Sequence, residues 1–106
     1  MKLDQGIVYY RDIRAGVLRR DAQGYTFAYD PAYLAASELP AVSLTLPKTD
    51  VPYRSRHLFA FFAGLLAEGV QKERQCRELR IDETDDFTRL VETSAYGAIG
   101  AVYVKA

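Results

Sequence analysis

Cysteine and histidine carry the most versatile side-chain chemistry in proteins, and this chain has one of each, Cys76 and His57. A zinc site needs several thiolate or imidazole ligands that converge on the metal, so these two residues are too few to build one. A Cys–His nucleophilic pair would need contact between the side chains and a third group that orients the base. The two residues lie in segments of different predicted structure, outside any recognisable motif. The sequence therefore favours two ordinary residues over a catalytic pair.

Two further segments match catalytic motifs only in part. Residues 97–102 (GAIGAV) contain two glycines, but a dinucleotide-binding loop needs a third glycine and must open a helix after a strand. Residues 86–88 (DFT) lack the glycine of a kinase magnesium loop, and the chain has neither the catalytic His-Arg-Asp nor the β-strand lysine motif. We therefore predict no catalytic residue, no metal site and no cofactor.

Carboxylates cluster at one point of the chain, at Asp82, Glu83, Asp85 and Asp86. Such a group is able to bind a cation or to supply paired acid and base. A simpler explanation is that these residues lie at the start of a helix, where their oxygens cap the backbone and their negative charge is favoured by the helix dipole. The sequence therefore predicts that a helix begins here.

Composition restricts the class of protein. The chain has 106 residues, of which 49% are hydrophobic and 26% charged, which is typical of one soluble globular domain over residues 1–106. Fourteen basic and fourteen acidic residues give a formal net charge of zero, which argues against direct binding of nucleic acid. No apolar run approaches the roughly 20 residues that span a bilayer. The start of the chain has no apolar signal region and the only cysteine has no partner, so we expect a protein of the bacterial cytoplasm.

Alternation of apolar and polar residues predicts five strands, at residues 7–11, 14–20, 25–29, 42–46 and 97–105. In the fourth, Val42, Leu44 and Leu46 would share one face. Residues 48–56 show no period and are predicted to form a loop. Eight tyrosines, six of them within residues 1–53, suit either a core or an interface, and the sequence leaves this open.

Four helical segments are predicted. A short turn covers residues 32–37, and a core-facing helix covers 58–66, capped by Ser55 and stopped near Gly69. A more exposed helix covers residues 71–79. The helix after the acidic cluster buries Phe87, Leu90 and Val91. Together these elements predict an α+β fold with a small antiparallel, partly barrel-like sheet of about five strands. Two to three helices are inserted before the last strand, which returns to the first sheet.

Four sequence blocks occur in the order that characterises one protein family. They are residues 42–47 (VSLTLP), 61–69 (FFAGLLAEG), 85–91 (DDFTRLV) and 99–104 (IGAVYV). Together they resemble the N-terminal subdomain of HipA-type serine/threonine kinase toxins. The match covers nearly the whole chain, since the first strands also fit the hairpin with which that subdomain begins.

The resemblance implies a function. In full-length relatives the last strand leads into the kinase core, whereas this sequence stops shortly after it and so resembles HipS, the small subunit of split three-part systems. In those systems a separate HipT kinase carries the catalytic residues, and a HipB-like protein binds DNA. The resemblance therefore implies an antitoxin that is not an enzyme, which binds and inhibits a HipT/HipA-like kinase, possibly in a ternary complex with a HipB-like protein.

The same resemblance suggests where the partner binds. The turn formed by Ala67, Glu68, Gly69 and Val70 is expected to project toward the nucleotide cleft of the kinase and to oppose its closure. Relatives favour proline at the position of Ala67 and a large aromatic residue at that of Val70. The alternative is a non-catalytic structural subunit that a split kinase needs for folding or activity. Two further alternatives are a small enzyme built on Cys76 and His57, and a DNA-binding accessory protein.

Overall fold

The computed structural model describes residues 4–95 and 101–106. The chain order is β1 Gln5–Tyr10, β2 Ile13–Asp21, β3 Gly24–Tyr29, α1 Pro31–Ala35, β4 Tyr53–Ser55, α2 Ala60–Ala63, α3 Gly69–Leu79, α4 Asp86–Thr93 and β5 Val102–Lys105. The strands form one antiparallel sheet in the order β4-β3-β2-β1-β5. The predicted α+β class is confirmed, and the sheet is open, because β4 and β5 lie at its two edges.

The first three strands form a meander with tight connections, as predicted. Tyr10 pairs with Ile13 across the two residues Arg11 and Asp12, both of which have positive φ. Positive φ at both positions is the geometry of a hairpin turn whose twist matches that of the strands. Arg11, expected to end the first strand, therefore lies in this turn.

One face of the sheet carries the core. Val8, Leu18, Phe27 and Val104, one residue from each of four strands, are completely buried. Helices α2 and α4 cover this face. The ring of Phe62 in α2 lies 5.5 Å from that of Phe27, centroid to centroid. In α4 the buried residues Phe87, Leu90 and Val91 confirm the predicted inner face.

Helix α4 begins where the acidic cluster predicts. Asp85 is the N-cap residue, and its carboxylate accepts hydrogen bonds from the Thr88 backbone N–H at 3.1 Å and the Thr88 hydroxyl at 2.8 Å. The first of these bonds satisfies a backbone donor that has no partner within the helix. The exposed helix predicted at residues 71–79 is also confirmed, as α3.

The prediction of a strand at residues 42–46 is wrong. The segment is a tight turn in which the Leu46 N–H donates to the Ser43 carbonyl at 3.1 Å. The Ser43 hydroxyl accepts from the Thr45 N–H, also at 3.1 Å. Hydrogen bonds from serine and threonine side chains to the nearby backbone compete with strand pairing, and here they prevail. Val42 and Leu46 are buried, but Leu44 is 100% exposed.

The strand beside β3 is instead β4, which lies within the predicted loop at residues 48–56. Tyr53 pairs with Phe27, and Ser55 pairs with Tyr25. A strand of three residues at a sheet edge is too short to show alternation, which is why the sequence pattern did not reveal it.

The helix predicted at residues 58–66 is much shorter, and its predicted ends are wrong. Only the four residues of α2 are α-helical, and i to i+3 hydrogen bonds continue the chain through Leu65 and Leu66. Phe59 occupies the N-cap position, while Ser55 lies in β4 and accepts a hydrogen bond from the His57 N–H. Gly69 begins α3 rather than ending α2. Gly64 at the end of α2 favours this early stop, because glycine is a poor helix former.

The last predicted strand is confirmed in part. β5 pairs with β1, with Val8 opposite Val104. Residues 97–100 of the prediction lie outside the described residues. Across residues 4–95 and 101–106, no helix combines the length and the apolar character needed to cross a bilayer.

Candidate partner-binding site

The cysteine and the histidine belong to different segments of the fold. Cys76 is buried within α3, whereas His57 is exposed between β4 and α2. Of the acidic residues, Asp85 caps α4 and Asp86 pairs with Arg89 of the same helix. Within the described ranges, no three histidine, cysteine or acidic residues are arranged to hold a metal ion.

Ala67 and Glu68 end the connection from α2 to α3, and Gly69 and Val70 are the first two residues of α3. We refer to these four residues together as the turn. Glu68 has extended backbone and no side-chain capping bond, and Gly69 has a φ of 63°. A Cβ built on Gly69 would meet no atom within 4 Å, so this backbone faces open space. Glu68 and Val70 are exposed, and 71% of Val70 is accessible to solvent. The turn therefore presents the side chains of Glu68 and Val70 to solvent.

A buried arginine holds the base of this turn in place. One terminal nitrogen of Arg89 donates to the Ala67 carbonyl at 2.6 Å, and the other donates to the Asp86 carboxylate at 3.1 Å. Arg89 is only 4% exposed. Hydrogen bonds from a charged donor are about twice as strong as those between neutral groups. Arg89 therefore ties the exposed turn to α4 through a charged hydrogen bond.

Helix α4 is itself fixed to the sheet by an ion pair. A terminal nitrogen of Arg20 in β2 lies 2.7 Å from the Asp85 carboxylate, and both side chains are mostly buried. The Arg20 guanidinium also lies 4.9 Å from the centre of the Phe87 ring. Contacts thus run from β2 through Asp85 to α4, and from α4 through Arg89 to the turn.

The Asp85 carboxyl makes stability depend on pH. Burial opposes its ionisation, but hydrogen bonds from Arg20 and Thr88 outweigh burial and lower its pKa below the ordinary 3.8. A carboxyl with a lowered pKa stabilises the fold above its unfolded-state pKa, and this stability is lost as pH falls through the folded-state value. We expect the stability difference between wild type and Asp85→Asn to be largest near neutral pH and to shrink below about pH 4.

Urea unfolding of both proteins from pH 7 down to about pH 2 tests this expectation. Asp50→Asn removes one exposed carboxylate as a control, and its difference from wild type should stay small throughout. A difference between wild type and Asp85→Asn that is the same at every pH would contradict the expected role of Asp85.

The open sheet, the helices on one face and the exposed turn define a small α+β domain of known type. A solved structure described as the N-terminal domain of HipA toxin is similar, with a TM-score of 0.71 and 30% sequence identity over 99% of this chain and 93% of that one. The family model for the HipA N-terminal domain matches residues 6–105. The chain belongs to the HipA N-terminal domain family, as the sequence resemblance indicated. Domains of this family are the non-catalytic N-terminal part of HipA, a toxin-related protein.

A small relative occurs in Haemophilus influenzae, where it is described as an uncharacterized protein. It is 37% identical over 90 residues, which are 85% of this chain and 80% of that protein. Sequence reasoning did not identify Arg89, whose contact with Ala67 joins residues 22 positions apart. The one local signal was the spacing of Asp86 and Arg89, which allows an i, i+3 ion pair on a helix.

Proposed function

We propose that this protein is an antitoxin-type binding protein that binds and inhibits a separate HipT/HipA-like serine/threonine kinase. The observation that carries the proposal is the exposed turn at Ala67, Glu68, Gly69 and Val70, which a hydrogen bond from α4 holds in place on a HipA N-terminal domain. The Haemophilus relative adds support, because its 90 aligned residues are 80% of its length and leave no room for a kinase domain. In that relative the domain therefore occurs without a kinase domain in the same chain.

Inhibition by this turn would need no chemistry from the chain. Phosphoryl transfer requires the kinase to close around its nucleotide with catalytic groups and metal ions in position. A turn inserted into the cleft opposes that closure. The hydrogen bond from Arg89 to Ala67 holds the turn in its exposed position. In this role the chain acts in the cytoplasm without binding a membrane or nucleic acid. A HipB-like protein would supply DNA binding in a ternary complex.

The first experiment is to produce the HipA-like kinase of the same genome with and without this chain. Complex formation and kinase activity are then measured in the same samples. Complex formation with loss of activity supports the proposal. A kinase that is insoluble or inactive without this chain would favour the structural-subunit alternative, and the absence of any complex would contradict both.

The turn itself is tested by the double variant Glu68→Ala with Val70→Asp. Both side chains are exposed, so we expect the fold to be retained while inhibition weakens at least about tenfold, the effect of losing one interface anchor. Titration of kinase activity with each variant gives the measurement. Glu38→Ala with Val51→Asp makes the same replacements at other exposed positions and should inhibit like wild type. Unchanged inhibition by the turn variant would mean that another surface binds the kinase.

A further inference from the structure

Leu44 is the most exposed of the large hydrophobic residues in the described part of the chain. Its side chain is 100% accessible, while Val42 and Leu46 on either side are 6% and 3% accessible. The VSLTLP segment marked the family resemblance, but the proposed inhibitory turn makes no use of it. In a strand Leu44 would share a buried face with its two neighbours, whereas the tight turn directs it outward.

The turn that presents Leu44 is fixed at both ends. The Tyr29 hydroxyl donates to the Leu46 carbonyl and accepts from the Val42 N–H, the latter at 3.1 Å. The hydroxyls of Ser43 and Thr45 lie 2.9 Å apart and are hydrogen-bonded to each other. Tyr29 is 7% exposed and stacks on Tyr33, with ring centres 5.9 Å apart. Because these bonds already order the backbone around Leu44, binding costs little backbone freedom, which favours affinity.

The chemistry around Leu44 indicates what kind of surface it fits. Residues 41–47 (AVSLTLP) contain no charge, although 26% of the chain is charged. The cation nearest along the chain is Lys48, whose ammonium donates to the carbonyls of Ala36 and Leu39, each at 2.9 Å, and lies 5.2 Å from the centre of the Tyr33 ring. Phosphate groups and anionic lipid would require free cations at this place. An uncharged leucine tip instead fits an apolar pocket on another protein.

We propose that Leu44 is a binding anchor that inserts into an apolar pocket of the kinase, as a second contact besides the turn at residues 67–70. This inference rests on the proposed function, because the kinase is its occupant. Interfaces concentrate their binding energy in a few well-packed anchors, and a leucine that passes from full exposure to full burial is a strong one.

Titration calorimetry with the HipA-like kinase tests the anchor. Leu44→Ser is expected to weaken binding about 10- to 100-fold, the value of burying one leucine side chain. The fold should be unaffected, because the wild-type side chain is wholly in solvent, and thermal unfolding verifies this. Leu44→Met keeps an apolar side chain of similar volume and should bind within about threefold of wild type. Val51→Ser removes another exposed apolar side chain, 66% accessible, and should bind like wild type.

The outcomes separate this inference from the proposal on which it rests. If wild type forms no complex with the kinase, the proposed function fails and the anchor fails with it. If the complex forms and Leu44→Ser binds as tightly as wild type, or if Val51→Ser loses as much affinity, the anchor is wrong while the proposed function stands. Leu44-dependent binding to vesicles of anionic phospholipid, with unchanged kinase affinity, would assign the residue to a membrane surface instead and also overturn the inference.

Discussion

Arg89→Met is expected to lower the free energy of unfolding by about 2–3 kcal/mol and to loosen the turn at residues 67–70. Methionine fills much of the same space, but it donates no hydrogen bond to the Ala67 carbonyl. The change also removes the partner of Asp86. Because that carboxylate is 49% exposed, water solvates it, and the loss stays below that of breaking a fully buried ion pair.

Two measurements separate the effect on the turn from the effect on stability. Urea unfolding gives the free energy, and NMR relaxation gives the backbone order parameters of Glu68, Gly69 and Val70. These order parameters should fall from the rigid range near 0.85 toward about 0.6. Arg77→Met changes an exposed arginine of α3 and should alter stability by no more than about 0.5 kcal/mol. Unchanged order parameters in Arg89→Met would show that the turn does not depend on this contact.

Phe62→Ala is expected to cost about 3–5 kcal/mol of stability, the usual range for removing a buried aromatic ring. Phe62 is completely buried, and its ring centre lies 5.5 Å from that of Phe27, 6.2 Å from that of Phe59 and 5.2 Å from that of Phe61. Helix α2 has only four residues, too few to be stable by itself, so packing around this ring holds it on the sheet. The loss approaches the whole stability of a marginal domain.

Chemical unfolding of Phe62→Ala and of Leu44→Ala provides the comparison. Both changes shorten a large apolar side chain, but Leu44 is wholly in solvent, and its replacement should change stability by no more than about 0.5 kcal/mol. A loss below about 1 kcal/mol for Phe62→Ala would be incompatible with Phe62 as the residue that attaches α2 to the sheet.

The parts of the fold that were predictable from sequence are those fixed by neighbours along the chain. Strands β1 to β3 alternate clearly and are joined by short turns, so their pairing follows from the local pattern. Asp85 lies directly before the helix it caps, and the spacing of Phe87, Leu90 and Val91 identifies the buried face of α4.

The parts that were not predictable depend on contacts between distant segments. The apolar alternation at residues 42–46 suggests a strand, yet the Tyr29 hydroxyl fixes the segment as a turn from 13 and 17 residues away. The apolar residues at 58–66 were correctly predicted to pack on the core. Their backbone is helical only at residues 60–63, because other backbone conformations can also bury these side chains. Tertiary contacts override local propensity in both segments.

The candidate site shows the same division. The exposed turn follows from the family resemblance and from the glycine at position 69, whose positive φ suits that residue. Its support does not follow, because no local pattern shows that the Arg89 guanidinium reaches the Ala67 carbonyl. The roles of the tyrosines also needed the structure, which buries Tyr29 and Tyr33 and leaves the other described tyrosines partly exposed.

The pairing of β1 with β5 bears on the order in which this chain folds. The β1–β2 and β2–β3 hairpins join strands across two residues, whereas Ile7 pairs with Lys105 across nearly the whole chain. Closing a long loop costs more entropy than closing a short one, and pairings distant in sequence slow folding. We therefore expect the meander to form early and β5 to dock last, after the helices have packed. During synthesis one edge of β1 therefore stays unpaired until residues 102–105 have emerged from the ribosome.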